Sequence, residues 1–462
     1  MSLLLFLKSA SGPDGRETSF TPFTFGAKFE PPEGRIVHGM GQWPDDNRAY
    51  LDMLADTDFY PLTELFFFDL EPARPWDMVL EQLRLYLDRQ KRLGRLPNLN
   101  LGMSGPDKES VEWWKSGVWL AFGVDDKIAH TAQYDSRIQD VALILRDHGT
   151  PAFLRIGGEF NGGWNGHHPF DYPLAFRKIV QHLRGHGADN VAFLWCYEPS
   201  AANDFDATDD AGRFKWFPGN DVIDWYSLDV FARRDFSDAY PEYERGIITP
   251  KGKSERFLRM AQDHGRPVMI AESSVVDFDI ASEQVWDEWF QPYFNFLAAH
   301  PQVKAFVYIN ADWPRYRPHD PFGWLDGRVT ENPVVASLYV EELSEQKYLH
   351  APDAATLKDF DQRMSIPRQP LEFTGIRAVN RSLSQMETVN VLTWKVNPGN
   401  QAVLKYRVYE IREGETYLLS EVKDAAMKYI HRRVDDSRAY HYSITAVDSL
   451  GVEGLAALLT VQ

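Results

Sequence analysis

The chain has 462 residues, 44% of them hydrophobic and 25% charged, enough to bury a full-sized core and to form two domains. A formal charge of −18 excludes a nucleic-acid partner, which needs a concentrated basic surface, and the single cysteine, Cys196, excludes an internal disulfide and a multi-cysteine metal site. The aromatic content of 14% is high and suits stacking on sugar rings as well as core packing.

The N-terminal apolar run Leu3–Leu7 is too short for a signal-peptide core and lacks a basic leader. No stretch approaches the length of a membrane span. From about residue 30 to 345, short buried-strand patterns alternate with longer amphipathic ones. The predicted strands are Arg35–Met40, Leu65–Asp69, Asn98–Met103, Pro151–Ile156, Val191–Cys196, Val222–Asp229, Pro267–Glu272 and Phe306–Asn310. Predicted helices include Met78–Leu93, Tyr134–His148, Tyr172–His186, Ser254–His264 and Glu283–Ala299. Eight strand–helix units of this length fit an α/β (β/α)8 barrel over residues 1–350 better than an open sheet.

Such barrels collect functional side chains at strand C-termini. The fourth strand ends in RIGGEFNGG, where glycines, one carboxylate (Glu159) and one amide (Asn161) follow an apolar run; the seventh, PVMIAESS, delivers Glu272 where the apolar character stops. Two carboxylates at two strand ends suggest paired acid chemistry. Residues 351–370, with Pro352, Pro367 and Pro370, read as a linker. Beyond it the hydrophobic period becomes two, in VNVLTW, LKYRVYEI and YHYSITAVD, so residues 371–462 form a small all-β sandwich. Trp394 and the Tyr440, Tyr442, Ile444, Ala446 register resemble a fibronectin type III domain, with Tyr440 the candidate for its tyrosine corner.

The ordered segments FEPPEGRIVHGMGQ, FLRIGGEFNGGWNG, FPGNDVIDWYSLDVF, PVMIAESS and WLDGRVTENP resemble glycoside hydrolase family 26, the β-mannanase-like family of clan A, over most of residues 25–345. The resemblance implies an endo-acting, retaining double displacement, with Glu159 as general acid/base and Glu272 as nucleophile. It implies a polysaccharide substrate, no cofactor, a monomer, and a secreted, periplasmic or cell-surface address. Two positions depart from the family pattern. Gly158 stands where a histidine usually precedes the acid/base, and Asp229-Val230-Phe231 lacks the tyrosine hydroxyl that orients the nucleophile, so a different group must orient Glu272, if one does.

Other residues near the strand ends are candidates for substrate contact. Asn161 either donates to a sugar hydroxyl or supports its loop, and His38 either touches substrate or is a buried structural imidazole. Asp229, at the end of strand six, is a further candidate contact. Trp164, Trp313 and Trp324 follow strands four and eight, where a flat aromatic wall serves a sugar subsite. Arg233 and Arg234 after strand six, with Arg315, Arg317 and His319 after strand eight, suit sulfate or carboxylate groups, unless they pair with nearby acids such as Asp235, Asp312 and Asp320. The substrate is therefore either an anionic, sulfated algal polysaccharide or a neutral β-mannan or β-xylan. His167-His168 lacks the helical i, i+4 spacing of a metal pair, and no metal site is expected. The competing readings are a catalytically inactive carbohydrate-binding barrel and a transglycosidase using the same two carboxylates.

Overall fold

The computed structural model describes residues 25–31, 34–105, 121–317, 322–351, 367 and 369–462, apart from 382–385, 398–399, 401–402, 413–414, 424–425, 449–452 and 455. His319, Asp320, Leu3–Leu7 and most of the expected linker lie outside these residues.

Eight parallel strands form the barrel: β1 (Ile36–Gly41), β2 (Thr63–Asp69), β3 (Leu96–Gly102), β4 (Ala152–Glu159), β5 (Val191–Tyr197), β6 (Trp225–Val230), β7 (Val268–Ser273) and β8 (Val303–Ile309). Each pairs in parallel with the next, and β8 returns to β1 through Val37↔Ala305 to Gly41↔Ile309, which closes the sheet. Closure removes both edges and leaves two environments. Inside, Val37, Leu96, Phe153, Leu194, Trp225, Met269 and Ala305 fill the lower barrel. Outside, alternate residues such as Leu99, Leu154, Phe193 and Ile270 pack under helices that include Trp76–Arg92, Asp135–His148, Asp171–Gly185 and Pro250–Asp263. Nearly every strand residue is thus buried, the usual condition of a parallel sheet covered by helices.

The elements differ from the sequence expectation where a local constraint intervenes. Residues 222–224 are not strand but leave a turn over residues 219–222, closed by Val222 N–H donating to Gly219 O at 3.3 Å. The helix expected over Glu283–Ala299 is interrupted: Trp286–Phe290 winds as a wider π-turn before Gln291–Ala299 continues as α-helix. Pro292, which cannot donate to the helical ladder, stands two residues past that widened turn.

Two short sheets make up the C-terminal region. The strands β9 (Leu371–Arg381), β10 (Met386–Lys395) and β13 (Lys428–Arg432) form one. The other, in the order β12-β11-β14-β15, contains β11 (Val403–Arg412), β12 (Glu415–Lys423), β14 (Tyr440–Asp448) and β15 (Ala457–Val461). All pairings are antiparallel. Leu392 and Trp394 from one sheet meet Tyr406, Val408, Tyr442, Ile444 and Ala446 from the other in a core of their own. The Tyr440 hydroxyl accepts from Asp435 N–H at 2.8 Å, the backward bond of a tyrosine corner, and the arrangement is consistent with a fibronectin type III-like domain.

Candidate active site

A cavity of about 770 Å³ opens at the C-terminal ends of the barrel strands, and Glu159 and Glu272 both line it. Strand alternation alone does not bring them together. Arg155 faces Leu194 on β5 while Glu159 faces Cys196, so four steps along β4 match two along β5. The extra length is taken up at Gly157 and Gly158, whose φ values of +82° and +63° are strained for side-chain-bearing residues. A side chain at position 158 would be strained there. A β-carbon at Gly157 would in addition lie 2.7 Å from the Tyr172 ring.

A second bulge places Glu272. Met269 and Ala271 point into the barrel and Ile270 points out, so regular alternation would turn residue 272 towards the helices. Instead Leu228↔Ile270 is followed by Asp229↔Glu272, which inserts one residue into β7. The bulge swings Glu272 back to the interior. Ser273 then faces outward, its Oγ within 2.9 Å of the Tyr293 hydroxyl.

Between Glu272 and Asp229 lies a buried guanidinium. Arg155 Nε donates to Asn100 Oδ1 at 2.7 Å, Nη1 donates to Asp229 Oδ2 at 2.7 Å, and Nη2 donates to Glu272 Oε1. Burial alone would lower its affinity for a proton, but Glu272 and Asp229 outweigh that and hold Arg155 well above its ordinary range. Burial pushes the Glu272 carboxyl up to about 7, with Arg155 opposing and Glu159 adding to the rise. Burial likewise holds Asp229 well above the carboxylate range, against the pull of Arg155. One oxygen each from Glu159, Asp229 and Glu272 lies within 4.8 Å of the others. That spacing suits a cation, and Arg155 already supplies one to two of the three. His167 and His168 lie elsewhere, against Asp125 at 3.7 and 3.0 Å.

Glu159 is half-buried and held from the following loop. Trp164 Nε1 donates to its Oε2 at 3.1 Å, and Asn165 Nδ2 reaches the same oxygen at 3.3 Å and the Glu159 carbonyl at 2.9 Å. Trp164, Trp313 and Trp324 all line the cavity. Trp313 is itself buried, its Nε1 donating to Ser274 Oγ at 2.9 Å, while Trp324 packs on Phe231 with ring centres 4.8 Å apart. Arg234 and Arg317 line the cavity too, Arg317 lying 4.5 Å over the Trp324 ring.

Several expectations need correction. His38 points away from the cavity into the strand–helix layer, where its Nε2 meets the Tyr50 hydroxyl at 2.7 Å and its ring stacks on Phe306. It is a structural imidazole. Asn161 is fully buried: its Oδ1 accepts from Glu198 N–H at 3.0 Å and its Nδ2 donates to the Glu198 and Asn203 carbonyls at 2.6 and 3.0 Å. It braces the loop and has no donor left for a sugar. Asp229 is fully buried against Arg155 and does not face the cavity. Arg233 pairs with Asp277 at 3.3 Å and Glu288 at 2.8 Å, and Arg315 lies on the Tyr316 ring 3.8 Å from Asp45. Neither lines the cavity. Cys196 is buried, and burial holds its thiol well above the range in which it would react.

Arg155, Asn165 and Glu198 were not singled out in the sequence, although signals were present. A lone arginine inside a buried strand requires acidic partners. Glu198 ends the apolar run VAFLWCY just as Glu159 and Glu272 end theirs.

No family model matches the chain. It is similar to a beta-1,3-xylanase of Vibrio sp, 30% identical over 248 residues, which are 48% of this chain and 49% of that protein. A beta-1,3-xylanase of Alcaligenes sp is 30% identical over 265 residues, 51% of this chain and 52% of that protein. The matches thus span about half the length of these curated relatives. Among solved structures, a GH26 beta-mannanase from Bacteroides ovatus aligns at 16% identity and TM-score 0.43, covering 70% of this chain and 89% of that one. No helix among the described residues is long and apolar enough to cross a membrane.

Proposed function

We propose that this protein is an endo-acting, retaining glycoside hydrolase of the family 26 type, with a neutral β-xylan, the β-1,3-linked polymer first, as substrate. The observation that carries the reading is the pair Glu159 and Glu272, set at two strand ends in one aromatic-lined cavity with oxygens within 4.8 Å. A retaining mechanism needs two carboxyl groups about 5–5.5 Å apart. The names of the two xylanases support the choice of xylan.

In this reading Glu159 protonates the glycosidic oxygen as the Glu272 carboxylate attacks the anomeric carbon from the opposite side. The leaving chain departs and a glycosyl ester on Glu272 remains. Glu159, now ionised, takes a proton from water, which attacks the same carbon and regenerates both groups. Arg155 stands in for the missing tyrosine hydroxyl by orienting Glu272. A protein acting on polysaccharide works outside the cytoplasm, and an extracytoplasmic address goes with the proposal.

The test is hydrolysis of 1,3-xylan, mannan, agar, carrageenan and fucan, with product sizing and the anomeric configuration followed by NMR. Release of short β-1,3-xylo-oligosaccharides with retained configuration is expected; inverted products, or failure on all the polymers, would remove the reading. A second reading, an anionic polysaccharide, is favoured by Arg234 and Arg317 on the cavity wall. On that reading hydrolysis of a sulfated polymer exceeds that of xylan and weakens as salt rises, and Arg234→Ala raises its KM with a smaller change in kcat. Indifference of xylan hydrolysis to both salt and Arg234→Ala is the outcome expected for the neutral substrate.

We further propose that residues 1–350 act as an independent domain. The barrel clusters and the sandwich cluster share no residue. A chain ending at Pro370 is expected to melt cooperatively and to keep its kcat on short oligosaccharides. A well-folded but inactive truncation would show that the sandwich shapes the site.

A further inference from the structure

Glu198 follows β5 directly and stands beside Glu159: the register partner of Glu159 on β5 is Cys196, two residues earlier. Both Glu198 and Glu159 line the cavity. The Glu198 backbone is gripped on both sides by the Asn161 amide, and its Oε1 accepts from Ser200 N–H at 3.0 Å. The residue is 5% exposed, and its Oε2 is buried with no hydrogen-bond partner among the described residues.

Its neighbour Asp235 is in a different state. Asp235 also lines the cavity, but its oxygens accept from Ser200 Oγ at 2.7 Å and from Phe231 and Ala232 N–H at 3.1 and 2.8 Å. Its capacity is spent on holding the loop. Glu198 alone of the two keeps an unused oxygen, on a fixed backbone, where a buried polar atom without a partner is costly. At the wall of a cavity, a ligand hydroxyl can supply the missing bond.

We propose that Glu198 is a specificity-determining residue whose Oε2 exchanges a hydrogen bond with a hydroxyl of the sugar bound beside Glu159. The assignment rests on the hydrolase reading and adds to it a polar contact on the β5 side of the cleft. Burial, with Asp235 and Glu159 close by, holds the Glu198 carboxyl well above the ordinary range, so it enters the contact as a neutral acid able to donate. A neutral acid in a desolvated site discriminates by the presence of the matching hydroxyl, because without it the acid stays unpaired.

The test compares the parent enzyme with Glu198→Ala, Glu198→Gln and Glu198→Met on a β-1,3-linked xylo-oligosaccharide and on a series lacking one hydroxyl at a time. Glu198→Ala is expected to raise KM by about tenfold with a smaller effect on kcat. Glu198→Gln, whose amide still donates, stays within about threefold of the parent. One deoxy substrate should abolish the penalty of Glu198→Ala, a coupling that a merely structural role would not produce. If the alanine variant fails to fold, Glu198→Met fills the space without offering a hydrogen bond and takes its place. A parent that hydrolyses the oligosaccharide while Glu198→Ala and Glu198→Met both keep its KM would overturn the assignment alone, as would penalties that add for every deoxy substrate. A parent that neither binds nor hydrolyses any polysaccharide tested would remove the hydrolase reading and this assignment with it.

Discussion

Glu159→Gln and Glu272→Gln are expected to lower turnover on a polysaccharide by about 10²- to 10⁴-fold or more, with the fold intact. Each substitution is nearly isosteric; the melt of Glu159→Gln should move little, whereas Glu272→Gln takes one of two buried carboxylates from Arg155 and should melt somewhat earlier. The two losses should differ in kind. Without Glu159 the first step lacks an acid, and a substrate with an activated aryl leaving group, which needs no protonation, should restore that step as a burst of released aryl group, while hydrolysis of the glycosyl ester, deprived of its base, stays slow. Without Glu272 there is no nucleophile and no leaving group rescues it. Azide added to Glu272→Ala is expected to attack directly and give the glycosyl azide of inverted configuration. Near-normal activity of either glutamine variant on the polymer would remove the assignment.

The barrel was legible because nearly all its strands are buried on both faces, so they stand out as apolar runs between amphipathic helices. The positions of Glu159 and Glu272 at the ends of such runs were legible for the same reason. Their convergence was not. It depends on a bulge at Gly157 and Gly158 and on another beside Ala271, and the second overrides the alternation that the sequence displays. Side-chain pairing across distant elements was equally hidden. Arg155 meets Asn100 and Asp229, 55 and 74 residues away, and nothing local to RIGGEFNGG names those partners.

Surface charge misled where composition was read as site chemistry. Arg233 and Arg234 are adjacent in sequence, yet Arg233 pairs with Asp277 and Glu288 while Arg234 lines the cavity. Adjacent residues on a turn face different ways, and the acids that capture one of them come from distant segments. His38 and Asn161 each carried two readings for a related reason. A polar side chain near a strand end is as useful for bracing a loop as for binding a ligand, and only its partners distinguish the two uses.

The second large effect is expected at Arg155. Removing its charge in Arg155→Met leaves Asp229 and Glu272 buried without their cation, and breaking a buried pair from one side costs about 3–5 kcal/mol. Arg155→Lys keeps the charge, but one ammonium does not reproduce the fork that serves Asn100, Asp229 and Glu272 together, so Glu272 loses its orientation while part of the stability returns. The lysine variant should therefore fold and show a kcat far below that of the parent, whereas the methionine variant should also melt earlier.

The two variants also bear on pH. Glu272 must be ionised to attack, and burial places its titration at about 7, so kcat/KM of the parent is expected to fall as pH drops below about 7. Arg155 opposes that upward shift, and its removal should move the acid limb to higher pH. Because Glu272 takes up a proton more readily in the folded chain than in the unfolded one, its contribution to stability is greatest below the ordinary carboxylate range and is lost as pH rises through about 7. Arg155→Met should thus be least stable, relative to the parent, on the alkaline side, where both carboxyls ionise with no cation between them. An unchanged acid limb in Arg155→Lys, together with parental kcat, would show that Glu272 is oriented by some other group.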